Sequence, residues 1–239
     1  MRRYFAGVVT ALAFALSGFV AIGAGATDHR RVIYITNESS TLTDRAVRDA
    51  LPAFQAALSK DFAPIWDADA RLVYIGRKSA PRLAWQIKLT DYPACLGCYG
   101  YHEYADRTVR AEVGVNQGNW QITFMHELFE MEADPYAAIP GPVRGVQVGD
   151  DWYAMETADP VEANNLAYTR WSATGKPVKI SDFVTPEWFD GTSDGPWDFK
   201  QHTTKPLQIL LGGYQLVWRD GAWGSIDNFG VFHPGEVDD

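Results

Sequence analysis

Alternation of apolar and polar positions predicts a run of short strands in the first half of the chain. β-Branched and other apolar residues dominate 31–36, 72–75 and 83–89, and each segment has the length of a strand. Two further segments, 100–104 and 108–115, are separated by a three-residue turn, which is typical of a hairpin. The pattern therefore predicts a sheet from this part of the chain.

One helix is predicted between the first two of these strands. Apolar residues recur on one helical face over about 42–61, and the hydroxyl-bearing residues 39–41 precede this segment as candidate caps. Pro52 falls inside it and predicts a kink or a break into two helices, because proline cannot donate the helical hydrogen bond.

A second helix is predicted over about 120–133, directly after the strands. Residues 116–119 supply a turn and a cap, and Asp134 followed by Pro135 ends the helix. The elements thus follow the order β-α-β-β-β and then a helix. This order predicts an α+β domain.

The second helix contains the sequence His-Glu-Leu-Phe-Glu, which begins at His126. In the H-E-x-x-H motif, two histidines four residues apart on one helical face bind a metal ion, and the glutamate polarises a water molecule. Here His126 and Glu130 occupy the ligand positions, and Glu127 keeps the position of the general base. The alternative is an ordinary surface ion pair at i and i+4.

The element order and this H-E-x-x-E variant together resemble the zincin metallopeptidase superfamily, over about half of the mature chain. The resemblance implies a twisted mixed sheet packed on the metal-motif helix within 27–174, with that helix at about 120–134. A loop- and aromatic-rich β subdomain of the same domain follows at 175–239. Three blocks also resemble segments of exported bacterial proteins of unassigned function, namely 126–135, 156–162 and 181–186.

The zincin resemblance also implies a third metal ligand downstream of the motif. In glutamate-type zincins this ligand is a carboxylate some tens of residues further on, and Glu156, Asp159 and Glu162 are the candidates, with Glu156 favoured by the strand-like residues before it. Alternatively, these acidic residues cap a turn and start a helix. The implied cofactor is one divalent ion, zinc first, with manganese or calcium as alternatives because oxygen ligands favour harder ions.

His102 is the other histidine with a suitable position, on a predicted strand shortly before the motif helix. By the same resemblance, a strand beside the active helix binds substrate, so His102 is a candidate ligand or donor to an oxyanion. An ordinary core or surface histidine is the alternative.

Cys95 and Cys98 form a single C-x-x-C in a segment rich in proline and glycine. In an exported protein this spacing favours a short disulfide that stiffens a turn. A redox pair would normally open a helix, and half a zinc site would need further ligands that His102 alone does not supply.

The N-terminus has the pattern of a secretory signal peptide. Arg2 and Arg3 precede an apolar run over 4–22, and small residues at 24–26 provide a cleavage site near Ala26, which predicts an exported protein. A membrane anchor is the alternative. Cleavage would change the formal net charge from −9 to −11, and this acidity argues against nucleic acid and anionic membranes as partners.

The part after residue 175 is rich in turns and aromatic residues. Strands are predicted at 179–183 and 207–218, with Gly212 and Gly213 indicating a bulge or a close backbone approach. The aromatic side chains either line a carbohydrate-binding cleft or pack the subdomain.

Three function classes follow from these patterns. The first is a secreted metal-dependent hydrolase, of metallopeptidase type and acting on peptides or proteins, with Glu127 as base. The second is a non-catalytic relative stabilised by a metal ion, and the third is an exported cell-wall- or carbohydrate-binding protein. The sequence contains no serine-nucleophile elbow, phosphate-binding glycine loop or dinucleotide fingerprint.

Overall fold

The structure is a computed structural model that describes residues 30–95, 97–136 and 145–235. The predicted signal peptide, 1–26, lies outside the described residues. Within the described ranges the fold is α+β, as predicted, with two five-stranded sheets and one two-stranded sheet. None of the helices in these ranges is long and apolar enough to cross a membrane.

The first sheet contains the five strands that the sequence predicts: β1 Arg31–Asn37, β2 Ala70–Gly76, β3 Trp85–Thr90, β4 Gly100–Ala105 and β5 Thr108–Gly114. The strands lie in the order β2-β1-β3-β5-β4. All neighbouring pairs are parallel except β4–β5, which is the predicted antiparallel hairpin. The hairpin makes β4 an edge strand.

The segment between β1 and β2 forms three consecutive helical pieces: α1 Asp44–Ala57, a π-helical turn Leu58–Phe62 and α2 Ala63–Trp66. Pro52 lies inside α1 without ending it, so the predicted break occurs at the π-helical turn instead.

The predicted caps of α1 were also wrong. The cap is Thr43, whose side chain accepts a hydrogen bond from the backbone N–H of Ala46. Ser39 and Ser40 instead donate their hydroxyls to the carboxylate of Asp91. Their side chains therefore tie two loops together.

The motif helix, α3 Trp120–Ala133, has the bounds that the pattern predicts. The side chain of Asn119 accepts from the N–H of Gln121 at its start, and Asp134 is its C-cap. One face of α3 packs against α1 and the π-helical turn through aromatic rings: Phe54 stacks on Phe124 at 4.5 Å and Phe62 on Phe129 at 4.6 Å.

The main core lies between the first sheet and helices α1 and α3. Its fully buried side chains include Ile33, Ile35, Ile87, Leu89, Phe54, Phe124 and Phe129. Burial of each such side chain contributes about 1.5–3 kcal/mol. This core fixes α3 and places its opposite face toward β4 and the later part of the chain.

The second sheet is antiparallel and contains β6 Val146–Val148, β7 Asp151–Tyr153, β10 Tyr214–Arg219, β11 Ala222–Asp227 and β12 Phe232–Pro234. Its order is β12-β11-β10-β7-β6. Strands β8 Tyr168–Trp171 and β9 Pro177–Ile180 form the separate two-stranded sheet.

Two strands predicted in the C-terminal part are shorter than expected. The strand predicted over 207–218 begins only at Tyr214, because the residues before it follow turns against the segment at Pro160. The strand predicted over 179–183 ends at Ile180, since the side chain of Asp182 accepts from the N–H of Phe183.

Aromatic side chains of this part pack inside the protein, which is one of the two roles that the sequence predicts for them. Trp188 and Phe189 are buried with Val161 and Val184 in a second apolar cluster. The indole N–H of Trp188 donates to the carbonyl of Gln208. These rings therefore stabilise the loops that follow the motif helix.

Candidate metal centre

A cavity of about 440 Å³ lies between α3, β4, the segment after β7 and the start of β10. Five carboxylates and two imidazoles line it: Glu127, Glu130, Glu156, Asp159, Glu162, His102 and His126. No lysine or arginine is among the lining residues in the described part of the chain. Within this described lining, the two imidazoles are therefore the only side chains that can carry positive charge against five carboxylates.

Three side chains of this cavity meet with the spacing of metal ligands. Nε2 of His126 lies 3.1 Å from Oε2 of Glu130 and 3.1 Å from Oδ1 of Asp159. Their potential ligand atoms all lie within 4.8 Å of one another. Helical spacing places the first two on one face of α3, and Asp159 begins a 3-10 turn, Asp159–Val161.

Glu130 connects the helix to this turn. Its Oε1 accepts hydrogen bonds from the backbone N–H groups of Ala158 and Asp159, at 3.0 and 3.3 Å. Its Oε2 remains directed at His126. One carboxylate therefore positions the turn with one oxygen and faces the cavity with the other.

Gly213 supports the same turn from the other side. A Cβ atom at this position would lie 2.5 Å from the carbonyl oxygen of Asp159 and 2.7 Å from that of Pro160. The close backbone approach predicted at Gly212 and Gly213 is confirmed at Gly213. Only glycine leaves room for it.

Glu127 lies beside the first group and faces β4. Its Oε2 is 3.5 Å from Nδ1 of His102, and its Oε1 fills the space where a Cβ of Gly100 would lie, at 2.6 Å. His102, Glu127 and Glu130 form a second group whose potential ligand atoms lie within 4.8 Å of one another. Glu130 belongs to both groups.

His102 is held in a defined orientation. Its side chain is 5% exposed, and its Nε2 lies 3.3 Å from the carbonyl oxygen of Asp134. A carbonyl only accepts, so Nε2 donates its proton in this contact. The other ring nitrogen, Nδ1, faces Glu127 at 3.5 Å and Glu130 at 3.9 Å. Oε2 of Glu156 lies 3.8 Å from Nε2.

The electrostatics of the cavity reflect its excess of negative charge. Burial, together with the neighbouring carboxylate of Asp159, raises the pKa of Glu130 and of Glu162 to about 7. Burial also raises the pKa of Glu156 well above its usual value. Without a cation, these groups retain protons that a bound metal ion would displace.

The two imidazoles show the complementary effect. Burial alone would lower the pKa of His102, but the carboxylates of Glu156, Glu127 and Glu130 outweigh it and raise this pKa to about 10. Burial would likewise lower the pKa of His126, and Glu130 with Asp159 raises it well above its usual value.

Tyr214, at the start of β10, also lines the cavity. Burial first, and then nearby carboxylates such as Asp159, raise the pKa of its phenol well above the usual value. The hydroxyl therefore stays protonated and is a hydrogen-bond donor. Sequence reasoning did not assign it chemistry; the only signal was its position directly after the close approach at Gly213.

The predicted site residues divide as follows. His126, Glu130 and Asp159 lie in one group with Glu127 beside it. The side chains of His126 and Glu130 are only 13% and 4% exposed, so they do not form the alternative surface pair. Of the two other downstream candidates, Glu156 faces His102 and Glu162 lines the cavity outside both groups.

Cys95 and Cys98 lie at disulfide-bonding distance at the edge of this cavity, with Cα atoms 5.8 Å apart. Cys98 contributes to the lining together with the next residues, Tyr99 and Gly100. The predicted disulfide thus fixes the loop that leads into β4.

Another group of potential ligands, Asp182, Asp198 and His202, lies outside the cavity. Oδ1 of Asp182 accepts from the N–H groups of Phe183 and Lys200, and its Oδ2 lies 2.8 Å from Nδ1 of His202. Asp198 accepts from the backbone N–H of His202. These carboxylates already have partners, which is typical of a structural network.

Comparisons with known proteins give no match: no family model, no curated protein and no solved structure matches this chain. The functional proposal therefore depends on the geometry of the cavity.

Proposed function

We propose that the protein is an exported hydrolase of metallopeptidase type, in which His126, Glu130 and Asp159 bind a divalent metal ion and Glu127 is the general base. The observation that carries this proposal is the convergence of His126, Glu130 and Asp159, with Glu127 beside them, in a cavity whose described lining contains no lysine or arginine. Buried carboxylates in such number require a counter-charge, and a cation supplies it.

The ligand set indicates which ions fit. One imidazole and two carboxylates suit zinc and manganese, whereas calcium prefers oxygen ligands throughout. Compared with a site of two histidines, the added carboxylate cancels more of the ion's charge and makes it a weaker Lewis acid. We therefore expect zinc as the first candidate, with hydrolysis slower than in sites with two histidines.

Each nearby side chain has a distinct role in this proposal. A bound divalent ion would polarise water and the substrate carbonyl. Glu127 accepts the proton that the attacking water loses and can return it to the leaving amine, because its carboxylate faces the cavity. The protonated phenol of Tyr214 donates a hydrogen bond to the oxygen on which negative charge develops.

The substrate class follows from the position of β4. Within the described residues, β4 is the edge strand of the first sheet and pairs with β5 alone, and its residues from Gly100 to His102 line the cavity. An extended peptide can pair with such an edge and place one of its amide bonds over the ion.

The test compares the unmodified protein with Glu127→Gln on a quenched-fluorescent peptide library, with bound metal measured in parallel. We expect the variant to retain the ion bound by His126 and to lose about 10²–10⁴-fold in cleavage rate. Glu187→Gln, at an exposed position of the 3-10 helix Pro186–Phe189, is the matched control and should be fully active.

Two outcomes would contradict the proposal in different ways. If Glu127→Gln cleaved peptides as fast as the unmodified protein, Glu127 would not be the general base. Metal binding without cleavage by the unmodified protein would leave the non-catalytic, metal-stabilised alternative.

A further inference from the structure

We infer that the cavity binds a second divalent ion next to His102, and that Glu130 bridges the two ions of a dinuclear centre. The inference rests on the proposed function for the first ion, at His126, Glu130 and Asp159. The second ion would be bound by Nδ1 of His102, by the shared Glu130 and by one oxygen of Glu127, whose other oxygen would remain the base.

The shared position of Glu130 is the first geometric argument. Its Oε2 lies 3.1 Å from Nε2 of His126 and 3.9 Å from Nδ1 of His102, so a single carboxylate oxygen faces both imidazoles. In two-metal hydrolytic sites the ions lie about 3.5–4 Å apart, a separation that one carboxylate can bridge. The two groups of potential ligands overlap at this residue.

The orientation of His102 is the second argument. Its contact through Nε2 with the carbonyl oxygen of Asp134 leaves Nδ1 directed at the carboxylates of Glu127 and Glu130. Metal-binding histidines commonly donate their other ring N–H to a carbonyl or carboxylate in this manner. The ring is thus fixed with its coordinating nitrogen toward the acidic side of the cavity.

Glu156 supplies an independent observation. Its side chain is only 7% exposed, and its Oε2 has no hydrogen-bond partner within the described residues. A buried, unpartnered carboxylate oxygen is costly unless a ligand or an ion satisfies it. Glu156 lines the same cavity, and this oxygen lies 3.8 Å from Nε2 of His102, on the opposite side of the ring from Nδ1. A second ion at Nδ1 would therefore reduce the charge that this carboxylate faces through the imidazole.

The charge of the cavity points to two ions rather than one. With both imidazoles neutral, the five lining carboxylates contribute five negative charges, and one divalent cation neutralises two of them. A second divalent ion would neutralise two more and leave one excess negative charge. The competing arrangement is a protonated His102 that acts as a fixed counter-ion.

The experiment is a titration of the metal-free, disulfide-intact protein with Mn²⁺, read by metal content after desalting and by electron paramagnetic resonance. We expect about two equivalents and an exchange-coupled spectrum, because a bridging carboxylate couples neighbouring Mn²⁺ ions. His102→Ala should retain about one equivalent and lose the coupled spectrum. His233→Gln, which alters a histidine on β12, is the matched control and should retain both ions.

The outcomes distinguish this inference from the proposed function. About one equivalent in both the unmodified protein and His102→Ala would refute the second ion and leave the first intact. No bound metal in the unmodified protein would refute both. Glu127 is not varied here, because it would contact the second ion as well as act as base.

A second variant protects the test against a folding defect in His102→Ala. Glu156→Gln preserves shape and removes the unpartnered charge, and we expect it to weaken binding of the second ion about 10–100-fold. The first ion should bind as before. Glu187→Gln is again the matched control. If Glu156→Gln and Glu187→Gln bound the second ion with equal affinity, the result would count against the inference.

Discussion

Glu130→Gln separates a metal ligand from a residue that only supports the fold. The amide retains an oxygen that can accept the backbone N–H groups of Ala158 and Asp159, so the connection between α3 and the following turn survives. The other oxygen, which faces His126, is replaced by an NH₂ group that cannot coordinate a metal ion.

Without metal, we expect this variant to be as stable as the unmodified protein or more stable. Burial, as the largest cause, raises the pKa of Glu130 to about 7, so the ionised form is disfavoured in the folded state. A neutral amide avoids this cost. The amide also gives up the ion pair with His126, which offsets this gain.

With metal, the two proteins should differ. An ion that binds only the native state at about 100 times its dissociation constant adds about 2.7 kcal/mol. For a domain of this size, 1 kcal/mol shifts Tm by about 2–4 °C, so the unmodified protein should gain about 5–11 °C. A variant with about 100-fold weaker binding should gain only about 1 °C at the same concentration.

The assay is thermal unfolding followed by circular dichroism near pH 8, with and without Zn²⁺, in the unmodified protein and two variants. Glu132→Gln is the matched control, since Glu132 is buried on the same helix and both its oxygens lie 3.3 Å from Nη1 of Arg31. The control should retain the full Tm shift on metal addition. An undiminished metal shift in Glu130→Gln would refute the assignment of this residue as a ligand.

Two further predictions test the surroundings of the cavity and a separate buried carboxyl. Gly100→Ala places a methyl group 2.6 Å from Oε1 of Glu127. We expect about 1–3 kcal/mol of destabilisation and a large loss of peptide cleavage, whereas the control Gly191→Ala, in open space, should change neither. Full activity of Gly100→Ala would contradict the assigned position of Glu127. Burial, and then the carboxylate of Asp198, raises the pKa of Asp182 to about 9, above its value in the unfolded chain. The free energy of unfolding should therefore fall as pH rises from about 4 to about 9, by up to about 1.4 kcal/mol per pH unit. Asp182→Asn should flatten this slope in urea unfolding, and an unchanged slope would refute the role of Asp182.

The first sheet and the motif helix follow closely from the sequence because local signals agree there. Alternation specifies the strands, and Asn119 with Asp134 specifies both ends of α3. The start of the helix between β1 and β2 was harder to predict. Ser39 and Ser40 have the chemistry of helix caps, but their hydroxyls donate to Asp91 in a distant loop. Such a tertiary contact leaves no mark in the local sequence.

The third ligand illustrates the same limit. Glu156, Asp159 and Glu162 lie within seven positions, and spacing alone cannot decide which of them meets His126. The choice depends on the 3-10 turn at Asp159, which is fixed by Glu130 from one side and by the backbone of Gly213 from the other. The contacts of this turn with Glu130 and with Gly213 both join residues that are far apart in the sequence.

The carboxylate at position 130 is therefore more than a weakened version of the usual histidine. A histidine there would present a single coordinating nitrogen to the cavity. Glu130 has two oxygens, of which Oε1 accepts the N–H groups that shape the turn of Asp159, while Oε2 lies between the imidazoles of His126 and His102. If the proposed ions bind, the carboxylate lowers the Lewis acidity expected of a single ion, but it also connects the helix to the proposed ligand Asp159 and supplies the bridge that a second ion requires.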